Sequence, residues 1–400
     1  MSEVRIKSKF DRVEKNLQTY KKLKNDNLWL YYSYYEPGER QVEVFLDGKK
    51  FLLFSTNNYL GLARNKNVIK AAIDAAQRCG VGTGASMAVS GGTIYHKKLE
   101  EALANFYNAE DCVILSSGFM ANSAIITTFA ADGLKVFCDK YLHVSFINSL
   151  KLHEIEPIRF EHDDVNDLEQ KMQLECSTNP NAKSIIITES VFSQHGEIAK
   201  VNKISTIAKK YNATLIVDDA HGLGTIGDNG YGILEHYNLS LNDIPVITGA
   251  MNKSLGSQGG YIVSSRQITE MVRMKAYELI FTSSLPAMSM AAAHAALLEI
   301  KSDRNLFRRL RENIIYAREC LQTMGAVLTN TLTPIIPIIV GSEKKASFIS
   351  KMLKDNGIVV IAIIPPAVPE DKSRLRIQIT SEHTKDDIDR LIFLLRRYLK

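Results

Sequence analysis

Thr214-Leu215-Ile216-Val217-Asp218-Asp219-Ala220-His221 is a short apolar run that stops at two carboxylates and a histidine. A continuous apolar run of this length, closed by polar residues, reads as a strand buried on both faces. Runs of the same kind recur at Cys112 to Leu115, Val136 to Cys138, Ser184 to Thr188, Val246 to Thr248 and Tyr261 to Val263, separated by segments of helical periodicity. From about 56 to 290 this alternation predicts an α/β fold, a mostly parallel central sheet between helices. Residues 1–55 read as a helix and a hairpin, with Asp47-Gly48 turning between Val42 to Leu46 and Phe51 to Phe54. After about 290 the pattern changes. A long helical stretch (about 287 to 323) leads to strand–helix–strand–strand–helix, and Thr384 and Asp387 are spaced as a capping pair for the last helix. The expected organisation is an N-terminal segment 1–55, a large domain 56–290 and a smaller α+β domain 291–400.

The composition narrows the function classes. Of 400 residues, 45% are hydrophobic and 23% charged, the proportions of a soluble globular protein. The net charge of +5 arises from 49 basic and 44 acidic residues spread along the chain, not from a basic stripe, so a nucleic-acid partner is not expected. Arg308, Arg309 and Arg311, and Arg396 and Arg397, lie among leucines at helical spacing and read as solvated helix faces. The five cysteines are scattered without a C-x-x-C pair, which argues against a disulfide framework and a zinc site. Met1 to Asn16 lacks the apolar segment of a secretory signal. The most apolar stretch, Gly357 to Ile364, is far below the ~20 residues a membrane span needs. A cytoplasmic location is expected.

Three features carry chemistry. The carboxylates and His221 close a strand at the end where open parallel sheets bind ligands, suited to holding a metal or to pairing with a cationic ring nitrogen. Gly249-Ala250-Met251-Asn252-Lys253-Ser254-Leu255-Gly256-Ser257-Gln258-Gly259-Gly260 follows the next apolar run. A lysine in such a glycine-rich loop, beside the apolar Met251, is a candidate for a depressed amine pKa and Schiff-base chemistry. Ser116-Ser117-Gly118-Phe119 joins a strand to a helix that starts near Met120, and free N–H groups there suit a phosphate. Alone, each is explained as well by a charged loop, a solvated lysine or a plain turn. Together they are the three fixtures that pyridoxal 5′-phosphate (PLP) requires.

With those motifs in place, the chain resembles the α-oxoamine synthases. These are PLP enzymes of fold type I that include aminooxononanoate synthase, glycine C-acetyltransferase, 5-aminolevulinate synthase and serine palmitoyltransferase. Further matching pieces are Asn57-Asn58-Tyr59-Leu60-Gly61-Leu62, Gly82 to Ser86, Ser90-Gly91 through His96, His143-Val144-Ser145, Val191-Phe192-Ser193, Phe281 to Pro286, Pro365 to Pro369 and Arg374-Leu375-Arg376. The resemblance implies that Lys253 carries the cofactor as a Schiff base and then moves the α-proton, while Asp218 pairs with the ring nitrogen. It implies that His143 stacks on the ring, and that His221 and Ser193 hydrogen-bond its phenolic oxygen. Ser117, Gly118 and Phe119 would serve the phosphate, with Asn252 as a further candidate. Arg376 would hold the amino-acid carboxylate, helped by Asn57 from a second subunit. Thr282 and Ser283 would reach the partner's phosphate, so a homodimer with shared sites is expected.

The activity so implied is decarboxylative condensation of a small amino acid with an acyl thioester, acyl-CoA or acyl carrier protein. The rivals are an aminotransferase or lyase of the same fold and a non-catalytic partner subunit. His143 and Arg374-Leu375-Arg376 favour the condensing enzyme, and the presence of Lys253 disfavours the non-catalytic subunit. Three departures stand out. Ala250 and Asn252 replace the family's threonine three residues before the lysine and its serine or glycine directly before it. Met87 replaces an arginine, and Gln194-His195-Gly196 replaces a methionine–acid–glycine.

Overall fold

The computed structural model describes residues 32–365 and 367–399, with positions 14, 17, 18, 20, 21, 24 and 25 of the N-terminal stretch, which are helical. The expected N-terminal helix and the reading of Met1 to Asn16 otherwise fall outside the described residues, as does Pro366.

Seven strands form the central sheet: β4 (Asp111–Leu115), β5 (Lys135–Asp139), β6 (Ile158–Phe160), β7 (Ser184–Glu189), β8 (Thr214–Asp218), β9 (Val246–Ala250) and β10 (Gly260–Ser264). Their order is β4-β10-β9-β8-β7-β5-β6. Only β10 runs antiparallel to its neighbours, β4 and β9, and every other pairing is parallel. All six predicted runs are strands, extended by a residue or two, while β6 was not anticipated. Alternation within each run explains why both faces are apolar. Ile114, Phe137, Ile186, Leu215, Val217 and Ile247 join one core cluster, and Val113, Leu115, Val136, Ile185, Ile187 and Ile216 the other. Helices Gly118–Phe129, Val144–Leu152 and Arg266–Lys275 cover the second face.

The expected hairpin is β2 (Glu43–Leu46) with β3 (Lys49–Leu53), and Asp47 and Gly48 take φ of 51° and 71°, as a tight primed turn requires. It pairs with β1 (Glu36–Pro37) on one side and, in parallel, with β12 (Ile358–Val359) on the other, so the first and last parts of the chain share a sheet. A separate antiparallel sheet, β11-β14-β13, comprises Ile335–Gly341, Ser373–Gln378 and Ile361–Ile363. The long helical stretch is two helices, Ala287–Ser302 and Arg304–Thr323. The carboxylate of Asp303 accepts the Asn305 N–H and so caps the second.

Arg40 fastens the hairpin to the last helix, Lys385–Tyr398. It donates Nη1 to Asp387 Oδ2 at 2.7 Å and Nη2 to Asp387 Oδ1 at 3.0 Å, and its Nε to Glu43 Oε1 at 2.9 Å. Asp387 also completes the predicted capping box with Thr384. Burial pushes the Glu43 and Asp387 carboxyls up. Lys50 and Arg40 for Glu43, and Arg40 with Thr384 for Asp387, outweigh it and hold both below the ordinary range. Arg40→Met should therefore cost about 1–3 kcal/mol in denaturant unfolding at neutral pH, discounted for the partial exposure of the guanidinium. Since both folded pKa values are depressed, the wild-type advantage should persist above roughly pH 4 and fade as pH falls through them.

Candidate active site

The carboxyl ends of β4, β5, β7, β8 and β9 lie along one edge of the sheet, and the predicted residues follow them. Ser117 caps the helix Gly118–Phe129, its hydroxyl accepting the Met120 N–H at 3.1 Å. Among the described residues neither the Gly118 nor the Phe119 N–H has a protein acceptor, as expected at a first helical turn. This turn is pressed onto β9 and β10. A Cβ on Gly118 would come within 2.7 Å of the Ala250 Cβ, and one on Gly260 within 2.2 Å of the Ser117 carbonyl oxygen. Ala250 is therefore directly beside the candidate phosphate turn.

Asp218, buried at the end of β8, accepts the Ala220 N–H at 2.9 Å and Nδ2 of Asn122 at 2.7 Å. Asn122 is also buried. It donates to Ser145 Oγ at 3.0 Å and accepts the Thr248 hydroxyl at 2.6 Å, and Ser145 Oγ lies 2.7 Å from His143 Nδ1. Sequence reading missed Asn122. Its position one helical turn after the Ser117–Gly118 corner is the signal that was available.

Lys253 follows β9 with its amine pushed down to about 8 by burial, against which Asp218 and Glu189 pull up, while Arg376 pushes further down. Glu189, opposite Asp218 in the β7–β8 register, is itself raised to about 8 by burial and by Asp218. Its Oε2 accepts the Ser193 N–H at 3.2 Å, and Oε1 is buried without a partner. His221 is held neutral: burial, then Lys253, Arg376 and His143, push it well below its ordinary value. Its Nδ1 lies 2.8 Å from the hydroxyl of Tyr59, a residue the sequence reading gave no role.

Arg376, on β14, donates Nε to the Ser193 carbonyl at 2.6 Å, and Arg374 donates Nη1 to that of Gln194 at 3.1 Å. The small sheet is thus tied to the loop after β7. In that loop His195 stacks on Tyr141 with ring centroids 4.5 Å apart, and Gly196 (φ 68°) lies so close that a Cβ would sit 2.1 Å from the Ile335 carbonyl oxygen.

Asn57, expected to help a second subunit, has an Oδ1 that accepts the Tyr59 hydroxyl at 3.1 Å and the Gln378 amide of its own chain. The Tyr59 hydroxyl lies between it and His221. Asn252 and Ser283 are exposed and Thr282 partly so, and none has a hydrogen bond within the described chain. Thr248, two residues before Ala250, donates its hydroxyl to Asn122 Oδ1. Met87 packs against the second core cluster, beside Gly92.

A buried carboxylate, a depressed amine and an open helix N-terminus fit the ring nitrogen, the aldehyde and the phosphate of PLP respectively. The comparisons agree. The family description "Aminotransferase class I and II" matches residues 49–394. A putative 8-amino-7-oxononanoate synthase of Thermodesulfovibrio yellowstonii is 38% identical over 96% of both chains. A serine palmitoyltransferase of S. paucimobilis, solved with bound PLP and myriocin, superposes with a TM-score of 0.92 at 30% identity, covering 98% of this chain and 97% of that one. One from Sphingomonas wittichii gives 0.91 at 28% identity, with coverage of 98% and 97%.

The depressed amine is measurable without cofactor. Lys253 should lose its proton as pH rises through about 8, against 10.5 for an ordinary lysine. Competitive acylation of the cofactor-free protein, read by peptide mass, should show Lys253 reacting at lower pH than the exposed lysines. Asp218→Asn should lower that midpoint further, because the carboxylate opposes the depression.

Proposed function

The chain belongs to the aminotransferase class I and II family, and from that premise we propose that it is an α-oxoamine synthase, joining a small amino acid to an acyl thioester with loss of carbon dioxide. The observation that carries this reading is the buried Lys253–Asp218 pair at the strand ends, in a chain 38% identical to a relative named for an α-amino ketone product.

Bound on Lys253, PLP supplies an electron sink for the pair left at the amino acid's α-carbon. The chain's residues do the rest. Arg376 presents a planar fork to the amino-acid carboxylate. The Lys253 amine, once displaced from the cofactor, takes the α-proton. Asp218, oriented by the Asn122 amide and the Ala220 N–H, would favour the proton on the ring nitrogen. His143 donates a hydrogen bond to the acyl oxygen. The α-carbon bonds to the acyl carbon as the carbon–sulfur bond breaks, and the thiolate leaves and takes up a proton. The bond to the carboxylate then breaks, releasing carbon dioxide, and Lys253 returns a proton to the α-carbon. Glycine, alanine and serine are the amino acids to be tried, with CoA and carrier-protein thioesters.

The working unit is a homodimer with Thr282 and Ser283 reaching the neighbouring site. An exposed apolar face supports this: Val81, Val89, Tyr277 and Phe281 are 79%, 80%, 67% and 79% exposed. They are gathered by the Thr83–Ser284 hydrogen bond and by Glu278, which accepts from Ser123 and Thr127 on the helix Gly118–Phe129. No helix among the described residues is long and apolar enough to cross a membrane.

Four outcomes are expected. Purified protein with PLP, acyl thioester and one of the three amino acids should release free thiol and carbon dioxide in equal amounts. Amino-group transfer to an oxoacid without thiol release would instead mark an aminotransferase. Borohydride reduction should leave the pyridoxyl group on Lys253, as peptide mapping would show. Ala250→Thr should restore the hydroxyl that the phosphate turn lacks and tighten PLP retention on dialysis about tenfold, since a hydrogen bond to a charged group is worth roughly 1.5–3 kcal/mol. Phe281→Glu should halve the sedimenting mass.

A further inference from the structure

We propose that Asn122 is a positioning residue which, through Ser145, holds His143 in a single neutral form with its proton on Nε2. The polarity of the chain of contacts forces this. Asp218 is an acceptor, so the group facing it at 2.7 Å is the amide nitrogen of Asn122, and Oδ1 must face the Thr248 hydroxyl, 2.6 Å away. The same nitrogen lies 3.0 Å from Ser145 Oγ and can only donate to it. With an oxygen that accepts from Asn122, Ser145 directs its one hydrogen to His143 Nδ1, 2.7 Å away, and the Ser145 backbone N–H points at that same nitrogen from 3.3 Å. Two donors on Nδ1 leave it no proton of its own.

Asn122, Ser145 and Thr248 are 2%, 0% and 0% exposed, so water does not substitute for any link. The charged and titratable groups facing His143 are Asp218, Lys253 and His221. Burial lowers the imidazole first, Asp218 raises it and Lys253 lowers it, with neutral His221 beside them. One amide therefore fixes two things at once: the orientation of the Asp218 carboxyl group and the donor face of the His143 imidazole. His143 then acts as a hydrogen-bond donor from Nε2 and does not cycle through the imidazolium.

The proposal rests on the functional reading only for that last consequence, because the tautomer is a property of the chain itself. It is read in nitrogen-15 histidine spectra of the cofactor-free and cofactor-loaded protein, with the His143 signals assigned by their loss in His143→Gln. Wild type should show an unprotonated Nδ1 and a protonated Nε2 at neutral pH, titrating below the ordinary histidine value of about 6.5. Asn122→Asp reverses the relay, since a carboxylate takes the Ser145 hydrogen away from Nδ1. The His143 midpoint should rise by about one unit or more. In a Ser145→Ala background the same substitution acts through charge alone, and its shift should be clearly smaller. A wild-type His143 with its proton on Nδ1, or doubly protonated at pH 7, overturns the proposal. So does an equal shift in both backgrounds. If the variants do not fold, the wild-type spectra still decide. Failure to release thiol, by contrast, would strike the functional reading and leave the tautomer untouched.

Discussion

A carboxyl group buried at a strand end, whose two oxygens must both find donors, is the constraint around which the rest of this molecule is arranged. Leaving water costs an ion several kcal/mol even after relaxation, and the cost is recovered only when its lone pairs find donors. Asp218 has two, the Ala220 N–H and the Asn122 amide, each fixed by backbone or by a further buried partner. The helix that supplies Asn122 is the one whose first turn faces Ala250 and offers N–H groups to an anion. A single helix thus orients Asp218 through Asn122 and offers its own N-terminus beside Ala250, the two fixtures that would receive the ring nitrogen and the phosphate of PLP. Its start can approach β9 and β10 only because Gly118 and Gly260 have no Cβ.

Around that charge the other titratable groups divide by sign. Burial alone would lower Lys253 further, but Asp218 and Glu189 hold it near 8. Nearer neutrality than an exposed lysine, such an amine is suited both to condensing with an aldehyde and to exchanging a proton with an α-carbon. The same surroundings work against a second carboxylate, and burial and Asp218 raise Glu189 to about 8. The two imidazoles move the other way, lowered by burial and by the cations nearby. Lys253 is thus the amine placed among these groups with a pKa near neutrality.

Much of this was legible in the chain. The apolar runs marked six of seven sheet strands because burial on both faces leaves no polar residue inside a run. β6 escaped because it is three residues long with Arg159 at its centre. Asp218, Lys253 and the Ser117–Gly118 turn were legible because each directly follows such a run. What stayed hidden depends on register and on packing between helix and sheet. Nothing in the sequence places Glu189 opposite Asp218, or turns Asn122 inward from an apolar helix to meet Thr248 two strands away. The contacts of Asn57 with Tyr59 and Gln378 were likewise not legible, since they join residues far apart in the chain or are set by local packing. The proposed homodimer lies beyond a single chain, which presents the apolar face but not what covers it.

The small sheet has a part in the site that sequence distance conceals. Arg374 and Arg376 stand two residues apart on β14 and therefore face the same way, toward the loop that follows β7. Both grip backbone carbonyls of that loop, so Arg376 and the Ser193 segment keep a fixed relation to each other. Thr331 and Thr333 add hydroxyl donors to the Gly196 carbonyl, and Gly196 has no room for a side chain against Ile335. From the other side, β12 pairs with β3 and Arg40 clamps the hairpin to the last helix. The lobe that presents Arg376 is consequently fastened at two places, one beside the chemistry and one remote from it.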